Sequence, residues 1–321
     1  MENKLKIEDV IAGYRFILNR NPENGLNLEN IAQTFESISS YRQNLIDSDE
    51  GASLLYEKLV SNLPIWVKVP TVFGQRIYVC LSDIGVSKGI FLNGNWEPEV
   101  GKSIFSLINQ DSYFLDIGAN MGWFSLLVAD FIQKRNGNGR VIAIEANPTI
   151  VQYLMASVVD SGLSNYISIK PYAASNKYDV IQMETSINGN LGGLKIGPLS
   201  KNATTQRNII PTVVLDDILE DLPKLDVIKM DIEGAEPLAL EGMRKTLDKF
   251  SPKIIMEINA DGLKIVSNKS VVQLVRQLKS YGYKPFDIIK NGLGSSEISE
   301  EEICKIVAAR GHYDFLFQKS W

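Results

Sequence analysis

The chain has 321 residues, of which 45% are hydrophobic and 22% charged, enough to bury a sizeable core in one large domain with a small appendage and no covalent staples. Its net charge of −5 speaks against a nucleic-acid partner, since phosphate binding draws on a surplus of Lys and Arg. Only Cys80 and Cys304 are present, which excludes a disulfide framework and a Cys-based zinc site.

The opening MENKLKIEDV mixes acids with bases and has no apolar stretch, so it does not read as a signal peptide. No apolar run reaches the roughly 18 residues of a membrane span, and a cytoplasmic location is expected. Ile7, Val10, Ile11, Tyr14, Ile17 and Leu18 fall at helical spacing and predict a helix over 5–18. The breakers NRNPENG follow, then helices are expected over 26–35 and 53–60, making residues 1–62 a small helical module. Within it, YRFILNRNPE resembles a short helical module fused to bacterial glycosyltransferases and related glycan enzymes, through Tyr14, Arg15, Leu18, Arg20, Pro22 and Glu23. That resemblance implies a homo-oligomer or a glycan-assembly partner; a helical cap packed on the main domain is the alternative.

Residues 63–111 read as a β-hairpin and a connecting segment. IWVKVPTVFGQRIYVCL turns at Phe73-Gly74-Gln75, and 94–100 reads as loop. From 112 to 321 short apolar strands (113–117, 141–145, 167–171, 227–231, 254–258, 283–287) alternate with helical patterns (123–133, 149–161, 236–250, 271–281). Such alternation predicts an α/β domain with a mostly parallel sheet covered on both faces. The last strand, 314–318, follows its predecessor without an obvious full-length helix and is expected to run antiparallel. Extra strands at 179–184 and 209–215 flank the Gly-rich stretch 188–208. That stretch is read either as a solvated loop or as a cover over an acceptor, with Lys195, Lys201 and Arg207 meeting anionic groups.

The most informative stretch is SYFLDIGANMGWFSLLVADF, an apolar strand that ends near Asp116, passes through Gly118-Ala119-Asn120-Met121-Gly122 and enters a helix. Glycines there admit φ > 0 and let a ligand approach the main chain, and the helix offers free N–H groups to an anion. The dinucleotide fingerprint needs Gly at the third and sixth positions, where this chain has Asn120 and Trp123. A nicotinamide oxidoreductase is therefore disfavoured. Glu145 ends the next strand, in VIAIEANP, where an acid can accept hydrogen bonds from both ribose hydroxyls. S-adenosylmethionine carries ribose but no pyrophosphate, so a shorter turn suffices. Its ammonium is expected at Asp116 and its carboxylate at the N–H groups of the turn.

DIGVSKGIFLNGNWEPE, LDIGANMGWFSLLVA, IEANP, VLDDIL and IKMDIEGAEPLALEGM occur in the order seen in the FkbM family of O-methyltransferases, which the chain resembles from about residue 64 onward. The resemblance implies a Rossmann-like class I methyltransferase fold and a hydroxyl acceptor on a sugar, glycan or natural product. It places cofactor binding on Asp116, Gly118, Asn120, Gly122 and Glu145. Ala119, Ala146, Asn147 and Ala174 complete the expected donor-binding set.

Methyl transfer to an alcohol calls for a base or a metal ion. Asp231, at the end of VIKMD, is the leading candidate for either role; capping the helix that opens at Glu236, or holding the Gly234 turn, is its structural alternative. Glu257, in KIIMEIN, stands at a comparable strand end and with Asp231 suits an oxygen-ligand Mg²⁺ site, although no compact motif demands a metal. His312 is the sole histidine and reaches the same edge if the last strand is antiparallel. Trp96, beside Glu97, is read as a sugar-stacking face or as sheet packing. Two other functions stay open: a non-catalytic cofactor-binding assembly module, and a nitrogen-acceptor methyltransferase. The second is disfavoured because Asp231-Ile232-Glu233-Gly234 lacks the paired prolines usual there.

Overall fold

A computed structural model describes residues 6–18, 20–51, 53–54, 66–81, 83, 85–186, 195–196, 205–288 and 297–319. The chain divides into two compact units, Met1–Ile65 and Trp66–Trp321.

In the first unit, helices α1 (Ile7–Ile17), α2 (Leu28–Thr34) and α3 (Ile38–Asp47) enclose a small core of Val10, Leu18, Tyr41 and Leu45. The helix starts follow local chemistry. Asn27 accepts from the Asn30 N–H, and Ser37 from that of Ser40, each satisfying an otherwise orphan donor. The helix α3 was not anticipated: its sequence ISSYRQNLID is polar apart from four positions, of which Tyr41 and Leu45 are buried among the described side chains. The Tyr41 hydroxyl donates to the Val10 carbonyl at 2.9 Å. Of the motif residues here, Arg20 pairs with Glu50 (Nη2–Oε2 2.7 Å) and lies over the Tyr14 ring at 5.2 Å. The helix expected over 53–60 lies, past residue 54, outside the described residues.

The second unit opens on an antiparallel hairpin, β1 (Trp66–Pro70) and β2 (Arg76–Cys80), followed by helices α4 (Val86–Asn93) and α5 (Pro98–Leu107). The loop expected over 94–100 thus ends at Glu97, because Pro98 occupies a first-turn position where its missing N–H costs nothing. Then come β3 (Tyr113–Ile117), α6 (Trp123–Lys134), β4 (Arg140–Ile144), α7 (Pro148–Asp160) and β5 (Ile167–Lys170). Next are β6 (Ala173–Ser175), β7 (Asp179–Ser186), β8 (Lys195–Ile196), β9 (Thr205–Val214), α8 (Leu215–Ile218) and β10 (Val227–Met230). The chain continues through α9 (Glu236–Gly242), α10 (Arg244–Phe250), β11 (Lys253–Asn259), α11 (Val271–Ser280), β12 (Tyr283–Asp287), α12 (Glu300–Arg310) and β13 (His312–Lys319).

Seven strands form the main sheet in the order β12-β13-β11-β10-β3-β4-β5. All run parallel except β13, which is antiparallel to both neighbours. Chain order reverses at β3, running outward to β4 and β5 on one side and to β10 and β11 on the other, so a crevice opens at the carboxyl tips of β3, β4 and β10. Two apolar layers cover the sheet faces. One contains Phe114, Val128, Val141 and Ile255; the other contains Leu115, Ile142, Met230 and Ile254. The extra strands make a separate sheet, β6-β9-β7-β8, and Lys195, Lys201 and Arg207 have side chains outside the described residues.

Two expectations need correction. The helix expected over 236–250 breaks at Met243 (φ −125°) into α9 and α10. A full helix, α12, does precede the last strand: Ser299 caps it, and Ile303 and Val307 provide its only fully buried positions. Two apolar contacts among eleven residues leave too faint a periodicity to read.

Candidate active site

At the tip of β3 the backbone must turn within a space that no side chain can share. Gly118 has φ +81°, and a Cβ there would stand 1.8 Å from the Asp231 carbonyl oxygen. Its N–H and that of Ala119 both donate to the Ile144 carbonyl at 2.9 Å, tying the turn to β4. Asn120 is left-handed (φ +51°), and its N–H donates to Glu145 Oε2 at 2.8 Å, while Asn147 N–H donates to Oε1 at 2.8 Å. Burial raises the Glu145 pKa, against the N–H donors of Asn147, Asn120 and Ala146, which lower it. Gly122 (φ +89°) abuts Leu154 of α7, which a Cβ would meet at 2.2 Å.

Not every expected donor-binding residue reaches the crevice. Gly118, Asn120, Glu145, Ala146 and Ala174 line a cleft of about 620 Å³, within the roughly 300–1,000 Å³ usual for small-molecule sites. Asp116 does not. It is 1% exposed and accepts from Ser125 Oγ of α6 at 2.6 Å. Burial raises its pKa to about 6, with the Ser125 hydrogen bond and the Lys229 charge opposing. Asn147 is buried and caps α7, accepting from the Thr149 N–H at 3.0 Å. Ala119 and Gly122 shape the turn behind the wall.

The other half of the cleft is acidic. Asp231, Glu257 and His312, the three expected catalytic residues, line it together with Trp96 and Glu97. The antiparallel β13 accounts for this: His312 pairs in register with Asn259, and Asp314 with Glu257. His312 Nδ1 lies 3.1 Å from Glu257 Oε2. Beneath them lies Lys229 of β10, only 2% exposed, with its ammonium 3.2 Å from Asp314 and 3.7 Å from Asp231. Burial drives the Glu257 pKa to about 10, reinforced by the Asp231 charge and opposed by Lys229. Glu97, left-handed at φ +41°, has a buried Oε2 without a hydrogen-bond partner, and burial raises its pKa to about 7. Burial also raises Asp231, with Lys229 pulling it back.

Glu97, Glu257 and Asp314 bring carboxylate oxygens within 4.8 Å of one another, a set different from the Asp231–Glu257 pair expected for a metal. The Lys229 ammonium supplies a counter-charge to that cluster. Lys229 and Asp314 were missed by sequence reasoning. A lysine set between hydrophobes in VIKM, two residues before Asp231, was the available signal.

Glu236, 1% exposed, closes the DIEG turn by accepting from the N–H groups of Ile232 (3.2 Å) and Gly234 (3.1 Å). Its Oε2 is buried without a partner, and burial raises its pKa from 4.5 to about 7 against those hydrogen bonds. The folded protein therefore holds this proton more tightly than the unfolded chain does. Stability from Glu236 is full below pH 4.5 and is lost as pH rises toward about 7. Glu236→Gln is expected to weaken the fall in melting temperature across that window; thermal unfolding at several pH values reads it, and an unchanged slope would acquit Glu236.

A seven-stranded sheet with a single reversed strand, cut by a crevice where a glycine turn is bonded to the acid of the next strand, defines the class I methyltransferase fold. The sequence agrees on the class and narrows it. The Methyltransferase FkbM domain matches residues 116–285, more than half of the chain, and the protein belongs to the FkbM methyltransferase family. It is 27% identical over 190 residues to the hexuronic acid methyltransferase AglP of Haloferax volcanii, covering 57% of this chain and 69% of that one. Among solved structures it is similar to the methyltransferase FkbM of Methylobacillus flagellatus KT (20% identity, TM-score 0.33), over 80% of this chain and 51% of that one. It is also similar to the O-methyltransferase of Bacillus cereus in complex with SAH (14% identity, TM-score 0.37), over 70% and 81%.

Proposed function

We propose that the protein transfers the methyl group of S-adenosylmethionine to a hydroxyl of a sugar. The observation that carries this reading is that Glu145 and Asp231, at the tips of the strands flanking β3, line a single cleft. Each carboxylate oxygen of Glu145 has two lone-pair sites, and the Asn120 and Asn147 N–H groups take one on each. The Ala146 N–H also acts on this carboxylate, so at least one lone-pair site stays open toward the cleft, where it suits a ribose hydroxyl. Ala146 and Ala174 leave room beside them for a flat base. When bound, the donor supplies an electrophilic methyl on a sulfonium sulfur. Asp116, fixed under α6, braces the turn instead of touching the ligand.

On the acceptor side Asp231 keeps 35% of its side chain exposed, enough to meet a substrate hydroxyl and take its proton. Glu257 is held protonated near neutrality by its raised pKa, and so offers a hydrogen bond to an acceptor oxygen. Trp96 lines the same space and presents an aromatic surface of the kind sugars pack against. The sugar class is also that of the relative from Haloferax volcanii, whose name specifies a hexuronic acid.

Incubation with S-adenosylmethionine and a panel of neutral, amino and uronic glycosides, followed by mass spectrometry, tests the reading. A gain of one methyl on oxygen is expected, and methylation confined to nitrogen acceptors would overturn it. Glu145→Ala removes a charged acceptor and also deprives the Asn120, Asn147 and Ala146 N–H groups of it. At about 1.5–3 kcal/mol for a charge-assisted hydrogen bond, donor affinity should fall on the order of 10–100-fold by calorimetric titration. Unchanged affinity would place the nucleoside elsewhere.

A further inference from the structure

We propose that Lys229 is a positioning residue of the transfer step, holding Asp231 in place and ionised so that it can accept the hydroxyl proton. The inference rests on the reading of Asp231 as proton acceptor. In that step the acceptor oxygen forms a bond to the methyl carbon, the carbon–sulfur electron pair returns to sulfur, and the hydroxyl proton passes to Asp231.

A lysine in the middle of a sheet is unusual. Lys229 lies on β10 between Asp116 of β3 and Ile255 of β11 in register, and its side chain is 2% exposed. Its ammonium has no partner of strict hydrogen-bond geometry among the described residues and lies 3.2 Å from Asp314 and 3.7 Å from Asp231. The Phe124 ring of α6 sits 5.8 Å away. Such a burial is tolerable only where several carboxylates share the positive charge. Those that act on it are Asp314 of β13, Asp231 at the tip of β10, Glu97 before α5 and Glu257 of β11.

For Asp231 the balance is set from every side. Burial and Asp314 favour its neutral form, while Lys229 and His312 favour the charged one; Asp231 in turn raises its neighbours Glu233 and Glu257. Lys229 is the largest influence toward ionisation. Without it burial and Asp314 would push the carboxyl further toward its neutral form, which cannot take a proton from an alcohol. An opposite charge at this range moves a carboxyl by about 1–3 pH units, which fixes the size of the effect.

Carbonyl-labelled Asp, followed by ¹³C NMR in the intact protein, reports the Asp231 titration without turnover; Asp231→Asn assigns the signal. Lys229→Met is expected to raise its midpoint by about 1–3 units, and Lys229→Arg to restore it. Asp314→Asn, which removes a repelling carboxylate and keeps the lysine, should lower the midpoint. Lys229→Gln, which removes the charge but keeps a hydrogen-bonding end, should raise the midpoint as Lys229→Met does and gives an answer even if Lys229→Met fails to fold. The acidic limb of the kcat–pH profile, on whichever glycoside is methylated, should move with the NMR midpoint. Loss of stability with an unshifted midpoint in Lys229→Met, or an unshifted midpoint in Lys229→Gln, overturns the role of Lys229. Full turnover by Asp231→Asn is a different result, and it overturns the reading of Asp231 itself.

Discussion

Asp231→Asn is expected to lower kcat for methyl transfer by about 10²–10⁴-fold, the range that a positioned general base supplies. The amide keeps the shape of the side chain and its place beside Lys229 but cannot take a proton. Burial lifts the Asp231 carboxyl above its ordinary value while Lys229 limits the rise, so the wild-type rate should climb as pH increases through the Asp231 midpoint. That acidic limb should vanish in the Asn variant. Donor affinity, governed by the tips of β3 and β4, should change only a few-fold by calorimetry. A kcat within tenfold of wild type would show that another group accepts the proton.

Gly118→Ala should do comparable damage by a different route. The new methyl group would meet the Asp231 carbonyl oxygen at 1.8 Å and Ile232 Cγ2 at 3.0 Å, at a φ of +81°. Neither the β3 turn nor β10 can yield without loosening the Gly118 and Ala119 N–H bonds to Ile144. Backbone strain and overpacking together cost about 2–4 kcal/mol, a drop of about 5–15 °C in Tm for a domain of this size. Because the displaced segments carry Asn120 and Asp231, donor binding and turnover should both fail. Gly162→Ala is the control, since Gly162 has φ +66° with nothing within 4 Å of the added atom. Equal losses in the two variants would mean that conformation, not the crowded approach of β3 to β10, sets the cost.

The strands of the parallel sheet were legible because each is a short apolar run bounded by polar turns, and Tyr113–Ile117 and Tyr283–Asp287 start and stop where the sequence places them. The reversal of the last strand was likewise readable, and it is what brings His312 to the cleft. Side-chain facing was harder to read. Asp116 looks like a ligand-binding acid at a strand end, yet period two in the sheet sets it on the face beneath α6, where Ser125 claims it. Asn147 shows the same difficulty: expected among the donor-binding residues, it precedes Pro148, and its side chain caps α7. Lys229 stayed hidden because a single charge within VIKM disturbs the strand pattern too little to suggest a buried ion. Two of its partners lie far away in sequence: Asp314 arrives through the pairing of β13 with β11, and Glu97 from the turn before α5.

The reversed strand also orders the events by which the site can be assembled. Gly118, Asn120 and Glu145 span fewer than thirty residues, so the nucleoside-binding half closes through local contacts and belongs to the faster phase of folding. Asp314 and His312 arrive with β13, which must insert between β11 and β12 although it follows both in the chain. Until then β11 and β12 each lack the neighbour that β13 provides, and such unpaired edges can template association. A nascent chain at that stage could dock a nucleoside while being inert toward any acceptor and prone to self-association, which makes β13 insertion the committing step of maturation.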